Sequence, residues 1–584
     1  MDLPFREVWA CDFEYRAPPG ERPHPVCMCA RELRSGREIQ LWGDDLKRPA
    51  APFDTGPNSV MITYAAAAEI SCFLELAWPL PANVIDLYAE HRVATNGNPW
   101  PCGDKLLGAL AGRGLAHIDP GEKEEMQQLI LSKTEYSDTE RTEILAYCMS
   151  DADALEALLP ALLPLELPFA LLRGRYGAAV ARMQRAGVPI DAELYRRVVK
   201  NWEALKSDLI AEVDVHFDIY DKGHFRFARF ERWLTECRIT NWPRTETGVL
   251  ATDGDTFDDQ IALRPELPEL RLLQELLATL HRMRLTNLAI GADGRNRTGL
   301  LPFVAITGRN APKASEFIFG PARWLRGFIK PPEGFGLAYL DFKAEEVAIA
   351  AALSGDARLA EHYASGDVYW RFAVAARLGD VNATGLARKA IRDLVKVLFL
   401  AISYGMQALS LARKSGKTLT EAKELLRLHA TTYPDLARWR EAIVDRARLN
   451  GWLSTTFGWR RRGCENAPAT ELMNWPVQSA GADLMRLVCI AATEAGIEVA
   501  APVHDGFLIV APLDRLHGEI ERMKATMVRA SKLITGGLPI QVEVEEVKFP
   551  GRYMDERGRA MWDRVMGLLE RKIGETEKID RPAA

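Results

Sequence analysis

Two carboxylates, Asp341 and Asp505, stand against apolar runs, FGLAYLDF and APVHDGFLIVAP. The second run reads as one buried strand with His504, Asp505 and Gly506 inside it. A carboxylate among apolar residues is costly unless something neutralises it. Asp341 alone reads as a helix cap, because a helical pattern containing Glu346 follows it. Asp505 alone is ambiguous. Together they offer a shared partner, since two carboxylates from separate strands can converge on divalent metal ions. Mg2+ takes oxygen ligands, few of them protein carboxylates, and leaves positions for water and phosphate. Two such ions stabilise the attacking and leaving oxygens of an in-line phosphoryl displacement.

A second constellation lies in RKAIRDLVKVLFLAISYGMQ, where Arg392, Lys396, Leu400 and Tyr404 recur every four residues. That spacing puts them on one helical face. Two cations can hold phosphates, and Leu400 and Tyr404 can take a sugar and base. The plainer reading is an amphipathic helix whose long side chains snorkel to solvent. A third set is near the N-terminus. Asp12 and Glu14 are two apart in CDFEY and share one strand face. Tyr147 and Asp151 are four apart in YCMSDAD and share one helical face. Alternating acids on an edge strand are more often merely solvated.

These residues need elements to position them. Residues 1–165 mix strand-like runs (EVWACDFEY, REIQLWG, NVIDLY) with helical ones, an α/β pattern. Residues 166–300 are mostly helical, as in LRLLQELLATLHRMRLTNLAI. From 301, strands (GLAYLDF, HDGFLIVAP, IQVEVEEV) flank a helical middle, about 356–450. This reads as one sheet domain with an inserted helical subdomain. A chain of 584 residues, 48% hydrophobic and 26% charged, is expected to be soluble and multidomain. Its most apolar window, EALLPALLPLELPFALL, is broken by prolines and reads as a connector. No signal-peptide layout opens the chain. The nine cysteines contain no CxxC spacing, so a reducing compartment is expected, without disulfides or a zinc site.

Net charge is −6, yet residues 386–417 carry seven Lys/Arg against Asp393 alone, and WRRRG holds Arg460, Arg461 and Arg462. Such runs are usually solvated faces; on an acidic protein they also suit a groove that tracks phosphates.

DFKAEEVAIAA, RDLVKVLFLAISYG and VHDG resemble, in order, the three polymerase motifs of family A DNA polymerases, the bacterial polymerase I type. TGR (307–309), TTYPDLARW, GWLSTTFGWRRR and NWPVQSAGADLM resemble further family segments between them. The resemblance covers about 301–550. It implies that Asp341 and Asp505 are the catalytic metal ligands, joined by the Phe342 carbonyl, on two Mg2+. It implies that Glu346, with Tyr404, blocks a ribose 2′-hydroxyl. Arg392 and Lys396 match the triphosphate-binding pair, with Lys396 a candidate proton donor to pyrophosphate. Arg309, Asn474, Gln478 and His504 match primer–template contacts. Six positions depart: Leu400 replaces an aromatic residue, Gly506 replaces a glutamate, Lys343-Ala344-Glu345 replaces Ser-Gln-Ile, and Thr470 stands where an arginine is frequent.

The N-terminal acids resemble the 3′–5′ proofreading exonuclease domain of the same polymerases. YAAAAE (64–69) is the best match for its Asn/Asp segment, with Ala65 and Glu69 as replacements. The resemblance implies that Asp12, Glu14, Glu69 and Asp151 hold two ions (Mg2+, Mn2+ or Zn2+), that Tyr147 orients the attacking water, and that Asp86 supports the site. The expected fold is thus a multidomain α/β and α+β chain: a ribonuclease H-like exonuclease domain (1–165), a linker and helical thumb (166–300), then palm (301–355), fingers (356–445) and palm again (446–584). No 5′-nuclease domain fits ahead of residue 12, so the chain is similar to short phage-encoded members. The function implied is DNA-templated DNA synthesis in replication, with proofreading. A degenerate exonuclease domain and a single-subunit RNA polymerase are the alternatives. Primer–template DNA, dNTPs and accessory replication proteins are the expected partners. A cytoplasmic monomer, bacterial or in a phage-infected host, with no membrane contact, is the expected setting.

Overall fold

The computed structural model describes residues 3–579 apart from 117, 246, 283–286, 321, 379, 381 and 416. Its N-terminal unit is built on β1 (Glu7–Arg16), β2 (His24–Glu32), β3 (Glu38–Trp42), β4 (Ser59–Thr63) and β5 (Val84–Asp86). The sheet order is β3-β2-β1-β4-β5; β1, β2 and β3 are antiparallel, and β4 and β5 run parallel to β1. Along β1, Trp9, Cys11 and Phe13 enter one core, and Val8 and Ala10 enter another with Leu155 and Leu158. Both faces are therefore covered. Asp12 and Glu14 continue the Val8–Ala10 face by the two-residue period of a strand.

Helices α1 (Ala67–Glu75), α2 (Leu87–Thr95), α3 (Pro120–Ser132) and α4 (Asp138–Leu158), with a short helix at Leu106–Ala111, pack on this sheet. Ser137 and Glu140 cap α4 reciprocally. NVIDLY, read as a strand, gives only three strand residues, because Asp86 caps α2 by accepting from Tyr88 and Ala89 N–H.

The Pro-punctuated connector leads into α5 (Leu167–Ala186). The expected 166–300 linker and thumb is not one packing unit. A Cβ on Gly174 would lie 2.0 Å from the Val84 carbonyl, and one on Gly177 would lie 2.7 Å from the Ala66 Cβ. Small residues thus seat α5 directly on the N-terminal unit. Arg173 adds a buried bidentate bond to Glu90 at 2.6 and 2.8 Å. The other side of α5 joins the larger core, which holds the second sheet, through Tyr176, Val180 and Met183. The helical lobe itself spans Ala192–Arg282; the expected continuation of its last helix through 283–286 lies outside the described residues.

The second sheet has the order β7-β8-β6-β9, from β6 (Phe335–Phe342), β7 (Val499–Val503), β8 (Gly506–Pro512) and β9 (Val542–Lys548), all antiparallel. APVHDGFLIVAP is therefore not one strand. It is a hairpin whose tip is His504–Asp505, with Val503 paired to Gly506. One face of this sheet (Leu337, Leu508, Val510) packs with the Ala192–Arg282 lobe and the last helix, Arg559–Ile579. That helix lies on Trp202–Asp214, through Arg571–Glu212 and apolar contacts, so the expected 446–584 segment divides. The other face (Leu340, Phe342, Phe507, Ile509) packs on the inserted helices and on α8 (Ala469–Glu494). The inserted helices include α6 (Glu345–Ser354) and α7 (Gly385–Ser403), and the insertion runs to Asn450 rather than 445.

All nine cysteines are free thiols. No helix among the described residues is long and apolar enough to cross a membrane.

Candidate active sites

Asp341 is the last residue but one of β6, opposite Gly506 on β8 and Glu543 on β9. The hairpin tip carries Asp505 to the same end of the sheet, and the Phe342 N–H donates to the Asp505 carbonyl at 3.2 Å. His504 takes φ 56°, the positive value that one position of a two-residue hairpin turn requires. The Asp341 Oδ1 is buried without a hydrogen-bond partner. Burial, then the charge of Asp505, push the Asp341 carboxyl up to about 7. An acid raised by a neighbouring acid in this way marks a site short of positive charge. The orphaned oxygen and the all-oxygen donor set fit a hard divalent cation.

The departures from the family pattern have physical causes. A Cβ on Gly506 would stand 2.6 Å from the Tyr339 Oη and 2.9 Å from the Leu340 carbonyl, so the space of a glutamate is taken by Tyr339. Lys343 faces Glu543 at 3.6 Å rather than the carboxylate pair. Glu345 turns inward. It is 3% exposed, its Oε1 has no partner, and a Cβ on Gly481 of α8 would lie 2.8 Å from that oxygen. Burial, then Asp505, push Glu345 up to about 8.

Glu346 is the hub of the next group. Its Oε2 accepts from the Tyr404 hydroxyl at 2.5 Å, its Oε1 accepts from Gln478, and Arg309 stands 3.9 Å away. The Asn474 amide donates to the Tyr404 carbonyl at 2.9 Å. Three more of the residues named from sequence, Arg309, Asn474 and Gln478, thus meet around Glu346 and Tyr404. The TGR turn is held from below: the Trp459 and Trp475 indoles donate to the Ile306 carbonyl at 3.1 and 3.0 Å, and Arg486 donates to the Gly308 carbonyl at 2.6 Å.

On α7, Arg392 and Lys396 share a face, and both lie over the Tyr369 ring, at 5.7 and 6.0 Å. The Arg392 Nε donates to both oxygens of Asp367 at 3.1 Å. Sequence reasoning missed Asp367 and Tyr369. Both lie in GDVYW, whose one overt signal was an N-cap aspartate. Leu400 is partly buried one turn on, and Thr470 lies against Gly405.

The N-terminal acids also converge. Ligand oxygens of Asp12, Glu14 and Asp151 lie within 4.8 Å of one another. Burial, then Asp151, raise Asp12 and take Glu14 up to about 8. Glu69 is outside that set of three. It is 3% exposed with an unpartnered Oε2, and burial, then Asp86, raise it. Ala65 has φ 70°, and the Ala65 and Ala66 N–H groups donate to Asp86 at 2.9 and 3.0 Å. Asp86 therefore shapes the loop before α1 while it caps α2. Tyr147 is buried beside Asp151, and burial raises its hydroxyl well above the usual range. Lys123, which the sequence did not single out, enters from α3 and meets Asp151 at 2.5 Å.

Arg460, Arg461 and Arg462 are engaged with protein groups. Arg460 pairs with Glu166 and lies over Trp452, and buried Arg461 reaches Glu471 at 2.7 Å. The Arg462 N–H donates to the Asn96 carbonyl at 2.8 Å. The Asn96 amide donates to the Arg460 and Ile306 carbonyls at 2.6 and 2.9 Å. This basic run joins the N-terminal unit to the rest of the chain.

Comparison with known proteins matches residues 193–548 to the family model described as DNA polymerase family A. The thermostable DNA polymerase I of Thermus thermophilus is 29% identical over 397 residues, 63% of this chain and 46% of that protein. DNA polymerase I of Mycobacterium tuberculosis strain H37Rv is 27% identical over 476 residues, 74% of this chain and 50% of that protein. The chain spans about half the length of the curated relatives it matches. The polymerase domain of Pol1 from M. smegmatis, solved with DNA primer-template and dNTP, superposes with a TM-score of 0.67 over 96% of both chains at 19% identity, which shows the fold. With a family match over more than half its length, and the carboxylate pair at the end of its second sheet, this chain belongs to the family A DNA polymerases.

Proposed function

We propose that the chain is a DNA-templated DNA polymerase that extends a primer 3′ end with dNTPs, acting in replication. The observation that carries the reading is the meeting of Asp341 and Asp505 at the hairpin tip, with a buried Asp341 oxygen left unpartnered. Asp341, Asp505 and the Phe342 carbonyl would hold two Mg2+, which supply charge stabilisation to attacking and leaving oxygens. The primer 3′-oxygen bonds to the α-phosphorus, the bond from that phosphorus to the bridging oxygen breaks, and pyrophosphate leaves. Arg392 and Lys396 receive the triphosphate, and Lys396 gives the departing pyrophosphate its proton. Arg392 must exchange Asp367 for phosphate as a nucleotide arrives.

Glu346, held by Tyr404 and Gln478, crowds a ribose 2′-hydroxyl, which favours dNTPs and argues against the RNA polymerase reading. Arg309, Asn474, Gln478 and His504 face primer and template, with sequence choice left to base pairing. In this reading 301–355 and 446 onward are palm, the inserted helices are fingers, and the Ala192–Arg282 lobe is the thumb. The setting is the cytoplasm of a bacterium or phage-infected cell, as a monomer.

The N-terminal unit is assigned as a 3′–5′ exonuclease. Its 3-2-1-4-5 strand order is the arrangement of a ribonuclease H-like fold, and its buried acids, with unpartnered oxygens on Asp12 and Glu69, fit divalent metal. Asp12, Glu14, Glu69 and Asp151 would surround it, and Tyr147 orients the attacking water.

Primer extension with and without dNTPs, on wild type, Asp505→Ala and Asp12→Ala, tests both sites. Loss of extension only in Asp505→Ala, and loss of 3′-mismatch removal only in Asp12→Ala, is the expected result. Full extension by Asp505→Ala would sink the polymerase assignment.

A further inference from the structure

Four side chains face one another across two helices of the N-terminal unit. Lys123 and Gln127 are one turn apart on α3; Tyr147 and Asp151 are one turn apart on α4. The Lys123 ammonium bonds Asp151 at 2.5 Å and lies 5.2 Å from the centre of the Tyr147 ring, while Gln127 reaches the Tyr147 hydroxyl. The pair is well shielded, with side-chain exposures of 17% for Lys123 and 9% for Asp151. The same ammonium opposes the raising of Asp12 and Glu14, so its charge is felt beyond Asp151.

We propose that Lys123 is a resident cation of the exonuclease site, so that the cluster holds one divalent ion, on Asp12 and Glu14, rather than two. The inference rests on the proofreading reading above. Pairing supports it. Of the four carboxylates of Asp12, Glu14, Glu69 and Asp151, that of Asp151 is already bonded to the Lys123 ammonium. A second divalent ion would meet a held ammonium on the carboxylate it needs, in a site screened from water. Geometry also supports it. The lysine stem lies along the Tyr147 ring, and the tyrosine is held at its other end by Gln127, so the ammonium is fixed rather than swinging free.

In hydrolysis a water oxygen bonds to the terminal phosphorus, the bond from that phosphorus to the 3′-oxygen of the preceding nucleotide breaks, and that oxygen takes a proton to become the new 3′-hydroxyl. Lys123 supplies positive charge beside Asp151 during this step. It is a positioning residue and replaces a metal ion in balancing the carboxylates.

The test is a Mn2+ titration of the full chain, followed by the electron paramagnetic resonance signal of free Mn2+. Asp341→Asn and Asp505→Asn are present throughout, so that only the N-terminal site is counted. Lys123, Lys123→Arg and Lys123→Met are compared, with thermal melting as the check that each is folded. One ion per chain is expected for Lys123 and Lys123→Arg, and two for Lys123→Met. The rate of 3′-mismatch removal should rise with the first power of Mn2+ for Lys123 and with the second for Lys123→Met. Two ions in the Lys123 protein, or one in folded Lys123→Met, overturns the inference while leaving the exonuclease assignment standing. No bound ion and no mismatch removal in any of the proteins overturns both.

Discussion

The Tyr339 hydroxyl occupies the space that a side chain at residue 506 would enter, 2.6 Å from where a Gly506 Cβ would stand. The two residues lie on neighbouring strands beside Asp341 and Asp505. Gly506→Glu alone should therefore fail to add a useful third carboxylate. It should lower stability by about 1–3 kcal/mol through overpacking and depress primer extension. Tyr339→Ala with Gly506→Glu should recover part of both losses. A double-mutant cycle on urea midpoints and extension rates reads the coupling; additive effects would show that Tyr339 is not the obstacle.

Glu346 is held in one place by Tyr404 and Gln478. Glu346→Ala should raise rNTP use relative to dNTP by about tenfold or more, ~1.4 kcal/mol of lost discrimination. Tyr404→Phe keeps the ring and loses the donor, and should give a smaller change in the same direction. Single-nucleotide insertion rates with matched rNTP and dNTP decide it.

Asn96 is 1% exposed and bonds to both the Ile306 and Arg460 carbonyls. Asn96→Ala removes the donor to the Arg460 carbonyl and one of three donors to the Ile306 carbonyl, at a cost of about 0.5–1.5 kcal/mol for each bond lost. The urea midpoint should fall accordingly. Proteolysis should then cut between the N-terminal unit and the rest sooner than in wild type.

His429 is enclosed by Phe372, Phe399 and Tyr433, and its Nε2 has no partner. Burial lowers its pKa to about 3. Above an ordinary histidine pKa of about 6.5 both folded and unfolded chains hold it neutral. Below that value the unfolded chain takes up the proton first, so stability falls progressively towards pH 3. His429→Met should be near neutral at pH 7 and should flatten the fall in melting temperature between pH 7 and 4. An unchanged slope would assign the acid sensitivity elsewhere.

Periodicity made the one-dimensional features readable. The four-residue spacing of Arg392, Lys396, Leu400 and Tyr404, the two-residue spacing of Asp12 and Glu14, and the strand leading to Asp341 are all set by local geometry. The composition of the basic run at Arg460–Arg462 could not say whether it met phosphate or protein. That depended on Asn96, more than three hundred residues earlier, arriving beside it. Lys123 carried no signal at all, because a lysine in GEKEEMQQ is an ordinary surface residue until α3 packs against α4.

The sequence by itself determined the ordered motifs, the catalytic carboxylates expected from them, and the alternation of strands and helices that carries them, because each depends on residues close together in the chain. Tertiary structure alone decided that HDG is a hairpin tip and not the middle of a strand, that Tyr339 excludes a third acid at residue 506, and that Lys123 stands among the N-terminal carboxylates. Each of these is a question of which distant atoms share one volume, and close packing answers it only once the whole chain is folded.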